Sequence, residues 1–155
     1  MPNQLSEEKA NTLFKKIYND VVLPKLGSNT TYANVLQNVA YKKLGIHFKG
    51  VYASDQIPVL NDLHKYAILN LDKSTQSGSH WIAVAYEDNK IYVFDSFGRQ
   101  SIKIIPSIYK SYSANKIIDT DHDAEQTEDE KNCGALSLTW LLFFDKWKAK
   151  NAVLI

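Results

Sequence analysis

A single cysteine, Cys133, stands where a polar, acidic stretch gives way to a long apolar one. A lone cysteine is by default an inert small hydrophobe. A structural one, however, belongs in the middle of an apolar helix, whereas Cys133 would open one, with Asn132 placed to cap it. The positive end of the helix dipole lowers a thiol pKa there and favours the thiolate, which is the nucleophilic form. Gly134 and Ala135 follow, small enough to let substrate and partner side chains come close. The N–H of Cys133 itself has no helical partner and can donate to a developing oxyanion.

A thiol nucleophile needs a base, and the base needs an orienting group. The runs His80-Trp81-Ile82-Ala83-Val84-Ala85-Tyr86 and Lys90-Ile91-Tyr92-Val93-Phe94-Asp95 carry the strongest strand signal in the chain and predict a hairpin joined by Glu87-Asp88-Asn89. If Tyr86 faces Asn89, His80 faces Asp95; a three-residue loop moves the pairing by one position and still leaves both at the open end. A carboxylate there accepts one imidazole N–H, fixes the tautomer and stabilises the imidazolium. A strand-edge histidine beside a turn-capping aspartate fits the same geometry equally well. Gln126, seven residues before Cys133, lies in a loop that must return to the helix start, where its amide can supply a second oxyanion donor. Trp81 is expected to pack behind the imidazole and shield it from water.

The elements that must position these residues follow from periodicity. Ala10, Leu13, Phe14, Ile17 and Tyr18 recur at helical spacing behind a Ser6 cap, and Tyr32, Val35, Leu36, Val39, Ala40 and Leu44 mark a second helix closed by Gly45. Ile46 to Ile57 reads as irregular, Tyr66 to Leu71 as a buried strand, Pro106 to Tyr112 as a short helical stretch, and Asn115 to Asp119 as a short strand. From Cys133 to about Lys148 the helix is apolar nearly all round, so it should be the central, buried one. Helices, then strands, then a buried helix predict a single α+β domain over residues 1–155, with a mixed sheet packed against that helix.

Composition narrows the function classes. Of the 155 residues, 45% are hydrophobic and 12% aromatic, enough for a real core. Eighteen basic residues against 17 acidic leave a net charge of +1, so nucleic acid and anionic membrane surfaces are not indicated as partners. The longest apolar run, Cys133 to Phe144, is 12 residues, too short to span a bilayer, and the acidic start lacks a signal-peptide core. A monomer in a reducing, cytosolic compartment is expected. Asp119, Asp121, Asp123 and Glu130 fall at EF-hand-like spacing, but Ala124 replaces the turn glycine and the preceding segment reads as strand; a solvated acidic loop is the default. With one cysteine and scattered His47, His64 and His122, no metal site and no cofactor are expected.

Taken together, His80-Trp81 and its strand, Phe94-Asp95-Ser96-Phe97-Gly98, and Gln126 with six residues before Cys133-Gly134 resemble the adenain family of adenovirus maturation proteases. The likeness is nearest to the adenain-like proteases of virophages and Polinton-type elements. It covers roughly residues 46 to 145, including Gly50-Val51-Tyr52-Ala53-Ser54-Asp55. The resemblance implies a papain-like cysteine protease fold of the adenain and SUMO-protease type. It also implies an endopeptidase that processes capsid precursors at glycine-containing sites during virion maturation, in the host cytoplasm and the virion. Cys133 would be nucleophile, His80 base, Asp95 its orienting partner and Gln126 an oxyanion donor, with Trp81 and Gly134 bordering the substrate. Asp95 stands where adenain has glutamate, a difference shared with SUMO-deconjugating proteases, so a protease removing ubiquitin-like modifiers is the alternative. A third reading is an inactive capsid-binding homologue, against which stand the four filled roles. Adenain is activated by a disulfide-linked viral peptide and by DNA; with Cys133 the only thiol and a charge balance near zero, no disulfide-linked peptide cofactor is expected here.

Overall fold

In the computed structural model, which describes residues 3–27, 32–72, 80–120, 124–125 and 132–155, the Ser6 hydroxyl accepts the N–H of Lys9 and starts α1 (Glu7–Ile17). Glu7 and Glu8 sit at the positive end of the dipole, Lys15 and Lys16 at the negative end. The helix widens to a π-turn at Tyr18–Val22 and continues as α2 (Leu23–Leu26). Pro24 explains the widening: it has no N–H for the Asp20 carbonyl four residues back, and its ring crowds that carbonyl. Gly45, at φ +60, closes α3 (Ala33–Leu44) in a conformation costly for other residues.

Five strands follow: β1 (Phe48–Ala53), β2 (Tyr66–Asn70), β3 (Trp81–Glu87), β4 (Lys90–Phe94) and β5 (Ile117–Asp119). They form one mixed sheet in the order β1-β2-β3-β4-β5, antiparallel at its centre and parallel at both edges. Between β4 and β5 lie two single turns, α4 (Ser101–Ile104) and α5 (Ile108–Ser111), with Pro106 in the break. The chain ends in α6 (Cys133–Trp147) and α7 (Ala149–Ala152).

Alternation along the central strands gives the sheet two apolar faces. Tyr66, Ile68, Trp81, Ala83, Ala85, Tyr92 and Phe94 face α6, backed by α1, α3 and α7. Ala67, Leu69, Ile82, Val84, Ile91 and Val93 face Leu60, Ile105 and Ile108 on the other side. Helix α6 is buried on nearly every side, as its composition predicts, and Trp140 stacks on Phe94 with centroids 5.6 Å apart and planes 7° from parallel. The fully buried Asn151 of α7 ties the chain ends together, its Oδ1 accepting the Leu5 N–H at 2.8 Å and its Nδ2 donating to the Asn3 carbonyl at 3.0 Å. Among the described residues no helix is long and apolar enough to cross a membrane.

The α+β class, the mixed sheet and the central helix agree with the sequence reading. The stretch Ile46 to Ile57 does not: Phe48–Ala53 within it is strand β1, paired in parallel with β2. The helical stretch over Pro106 to Tyr112 reduces to α5, with α4 preceding it. The hairpin turn is the two residues Asp88-Asn89, at φ +50 and +65, rather than Glu87-Asp88-Asn89. Two successive left-handed residues match the twist of the flanking strands, which is why this shorter turn prevails.

Candidate active site

The site forms where β3 outruns its partner. Strand β4 ends at Phe94, opposite Ala83, so the N–H and C=O of Trp81 have no ladder to join on that side. The start of α6 takes both: Cys133 Sγ accepts the Trp81 N–H at 3.4 Å, and one turn on, Ser137 Oγ donates to the Trp81 carbonyl at 3.2 Å. Backbone groups that would otherwise be buried without partners thus fix the sulfur against the first residue of the strand.

His80 precedes β3, its carbonyl held by the Leu71 N–H, and Asp95 follows β4. Imidazole Nε2 lies 2.7 Å from Asp95 Oδ1, which leaves Nδ1 for Cys133, and the thiol and imidazole are close enough that each shifts the other's titration. The expected register is two residues out: Glu87 pairs with Lys90 and Tyr86 with Ile91. An even offset keeps every side chain on its own face, so His80 and Asp95 meet on the diagonal beyond the strand ends instead of directly opposite.

The turn after β4 completes the surroundings. The Gly98 N–H closes it on the Asp95 carbonyl at 2.8 Å, with Gly98 at φ +72, and sends Arg99 back over the carboxylate. Arg99 Nε and its backbone N–H reach Asp95 Oδ2 at 2.8 and 3.0 Å. Phe97 stacks on the imidazole, centroids 4.9 Å apart and planes within 22°.

His80 and Cys133 are each 8% exposed and Asp95 only 2%. Burial alone would raise the Asp95 carboxyl pKa, but hydrogen bonds from His80 and Arg99 overcome it and bring it down to about 2. Burial pulls the imidazole down, and the bonds and charges of Asp95 and Cys133 reverse this to a net rise above its ordinary value. Burial raises the thiol, and the His80 hydrogen bond, the Trp81 N–H, the imidazolium charge and the Gly134 N–H together bring it below the usual range. A base that holds its proton longer, beside a thiol that gives its proton up earlier, is the condition for a thiolate–imidazolium pair near neutral pH.

Of the residues singled out from sequence, His80 and Asp95 meet at hydrogen-bonding distance, Cys133 accepts the Trp81 N–H beside them, and Gly134 follows Cys133 in the first turn of α6. The Trp81 side chain joins the core on the α6 face. Gln126 lies outside the described residues, as do His122, Asp121, Asp123 and Glu130. Asn132 precedes α6 but does not cap it: its Nδ2 donates to the Tyr18 hydroxyl at 3.1 Å, and its buried Oδ1 has no hydrogen-bond partner among the described residues. His47 and His64 hold the carbonyls of Leu63 and Ile46 at the far end of β1, away from the thiol. Among the described residues no group of three potential ligands could hold a metal ion.

Sequence reading missed Phe97, Arg99 and Ser137. Phe97 stood inside the Ser96-Phe97-Gly98 turn that carries the resemblance, and Ser137 had a legible signal as one of two hydroxyls, with Thr139, in the apolar run after the thiol. The sequence matches the family model described as Adenovirus endoprotease over residues 48–153, from β1 to the end of α7. No curated protein matches the chain.

Proposed function

The chain belongs to the adenovirus endoprotease family of cysteine peptidases, and from that premise we propose that it is an endopeptidase that cuts viral capsid precursors during virion maturation. The observation that carries the reading is the gathering of Cys133, His80 and Asp95 at the mouth of a buried helix, with Asp95 Oδ1 2.7 Å from His80 Nε2 and Cys133 Sγ held by the N–H of the residue after His80. The Cys133 thiolate attacks the scissile carbonyl, and the Cys133 N–H and the Gln126 amide hold the oxyanion. The His80 imidazolium gives its proton to the departing amine as the C–N bond breaks, leaving a thioester on Cys133. Water, deprotonated by the now neutral His80, hydrolyses that thioester and regenerates the thiolate–imidazolium pair. Trp81 and Gly134 border the substrate. The protein acts as a monomer in the host cytoplasm and the virion, where its one thiol stays reduced. A disulfide-linked activator would have to use the nucleophile itself, so none is invoked.

The test is incubation with candidate capsid precursors and mass mapping of new termini, with Cys133→Ala as control. New internal termini made by the wild type alone are expected. Release of ubiquitin-like modifiers with capsid precursors left intact would assign the other protease class, and no cleavage of either would leave only a binding role.

A further inference from the structure

We infer that Arg99 is a positioning residue of this site, clamping Asp95 and covering Phe97 so that the carboxylate presents one fixed oxygen to His80. The inference rests on the reading of Cys133, His80 and Asp95 as the catalytic set. A carboxylate bonded only to one imidazole is free to turn about its last torsion, which is broad and two-fold. Here Oδ2 is held from two directions by Arg99, through Nε at 2.8 Å and the backbone N–H at 3.0 Å, and Nη2 reaches Oδ1 at 3.3 Å. That fork leaves Oδ1 pointed at Nε2.

The same guanidinium lies 4.9 Å from the centroid of Phe97, whose ring is stacked on the imidazole. His80, Asp95, Arg99 and Phe97 therefore close a cycle, with hydrogen bonds on one side and ring faces on the other. Arg99 is also the member that meets water: its side chain is 43% exposed and that of Asp95 is 1%. It is the lid over the buried carboxylate as well as its clamp.

The charge effects separate this role from simple packing. Among the described residues, the charged groups acting on His80 are Asp95 and Cys133, those acting on Asp95 are His80 and Arg99, and His80 acts on Cys133. The Arg99 charge thus reaches the pair through Asp95, where it offsets part of the carboxylate field. Without it Asp95 holds the imidazolium more tightly, and the less compensated carboxylate charge disfavours the thiolate. Both the imidazole and the thiol should then titrate at higher pH.

Because the chain has one cysteine, the rate of alkylation by iodoacetamide reports on Cys133 alone. It should be measured against pH in wild type, Arg99→Gln and Arg99→Lys, together with kcat and KM on a peptide the wild type cleaves. In Arg99→Gln the alkaline limb should move up by about 0.5–1 pH unit, the acidic limb following in the same direction. The kcat should fall by about tenfold with KM within about twofold. Arg99→Lys restores the charge without the fork, so its limbs should stay at the wild-type pH while kcat recovers only in part. Unmoved limbs in Arg99→Gln, with full rates or with rates lowered alongside the melting temperature, overturn the positioning role and leave the catalytic set standing. A wild-type thiol that titrates like a free one overturns the catalytic reading, and this inference with it.

Discussion

Replacing Asp95 by asparagine changes almost no volume and removes one charge, and the structure dictates why it should be damaging. Both carboxylate oxygens accept: Oδ1 from His80 Nε2, Oδ2 from the Nε and backbone N–H of Arg99. An amide has one acceptor and one donor end. If its oxygen faces Arg99, its NH2 faces Nε2, and the imidazole must then carry its proton on Nδ1, toward Cys133, where a proton acceptor is needed. If its oxygen faces His80, two Arg99 donors meet an NH2. Neither orientation satisfies the site, so kcat/KM on a cleavable peptide should fall by about 10²–10³-fold, with the larger share in kcat. Stability should change as well. A buried carboxyl brought from its ordinary value to about 2 contributes roughly 2–3 kcal/mol at neutral pH. Because the folded-state pKa is the depressed one, this contribution is complete above the unfolded value near 4 and is lost as pH falls through about 2. For a chain of this length the variant should melt about 5–10 °C lower at pH 7, and the difference should shrink toward pH 2. Wild-type kcat/KM in Asp95→Asn, or a melting difference independent of pH between 2 and 7, would refute the reasoning.

Other consequences can be checked by melting and kinetics. Ser137→Ala leaves the buried Trp81 carbonyl without its donor and should cost about 1–2 kcal/mol, with slower alkylation of Cys133 as the sulfur loses its register against β3. Asn151→Ala abandons buried partners on Asn3, Leu5 and Trp147, and should lower the melting temperature by about 5–10 °C while leaving the pH profile of the thiol unmoved. Lys148, at φ +66 between α6 and α7, pays for a left-handed backbone; Lys148→Gly should raise stability by about 0.5–1 kcal/mol in a denaturant titration.

The core of the site was legible because each of its members breaks a pattern. His80 and Asp95 are polar residues at the ends of alternating runs, and Cys133 stands at a boundary between acidic and apolar sequence. What escaped depended on neighbours brought in from elsewhere. Strand β1 is an edge strand in which Lys49 and Gly50 interrupt the apolar pattern, and its identity comes from pairing with β2. Asn132 is a good cap by residue type, yet the Tyr18 hydroxyl, carried there by the far helix, claims its amide. Phe97 and Arg99 act through the path of a turn that the residue types alone leave open.

The two-residue turn at Asp88-Asn89 has a reach beyond its own end of the sheet. It lies about seven residues, roughly 20 Å, from the imidazole, yet it works as a vernier that sets how far the two arms of the hairpin slide past each other. An added residue that slid one arm by a single step would exchange the two faces of β4, turning Asp95 to the opposite side from His80 and lifting Phe94 off Trp140. Chain length at the remote tip is therefore specified by the core as well as by the reacting groups, and a register-shifting insertion there should silence the thiol and lower the melting temperature together.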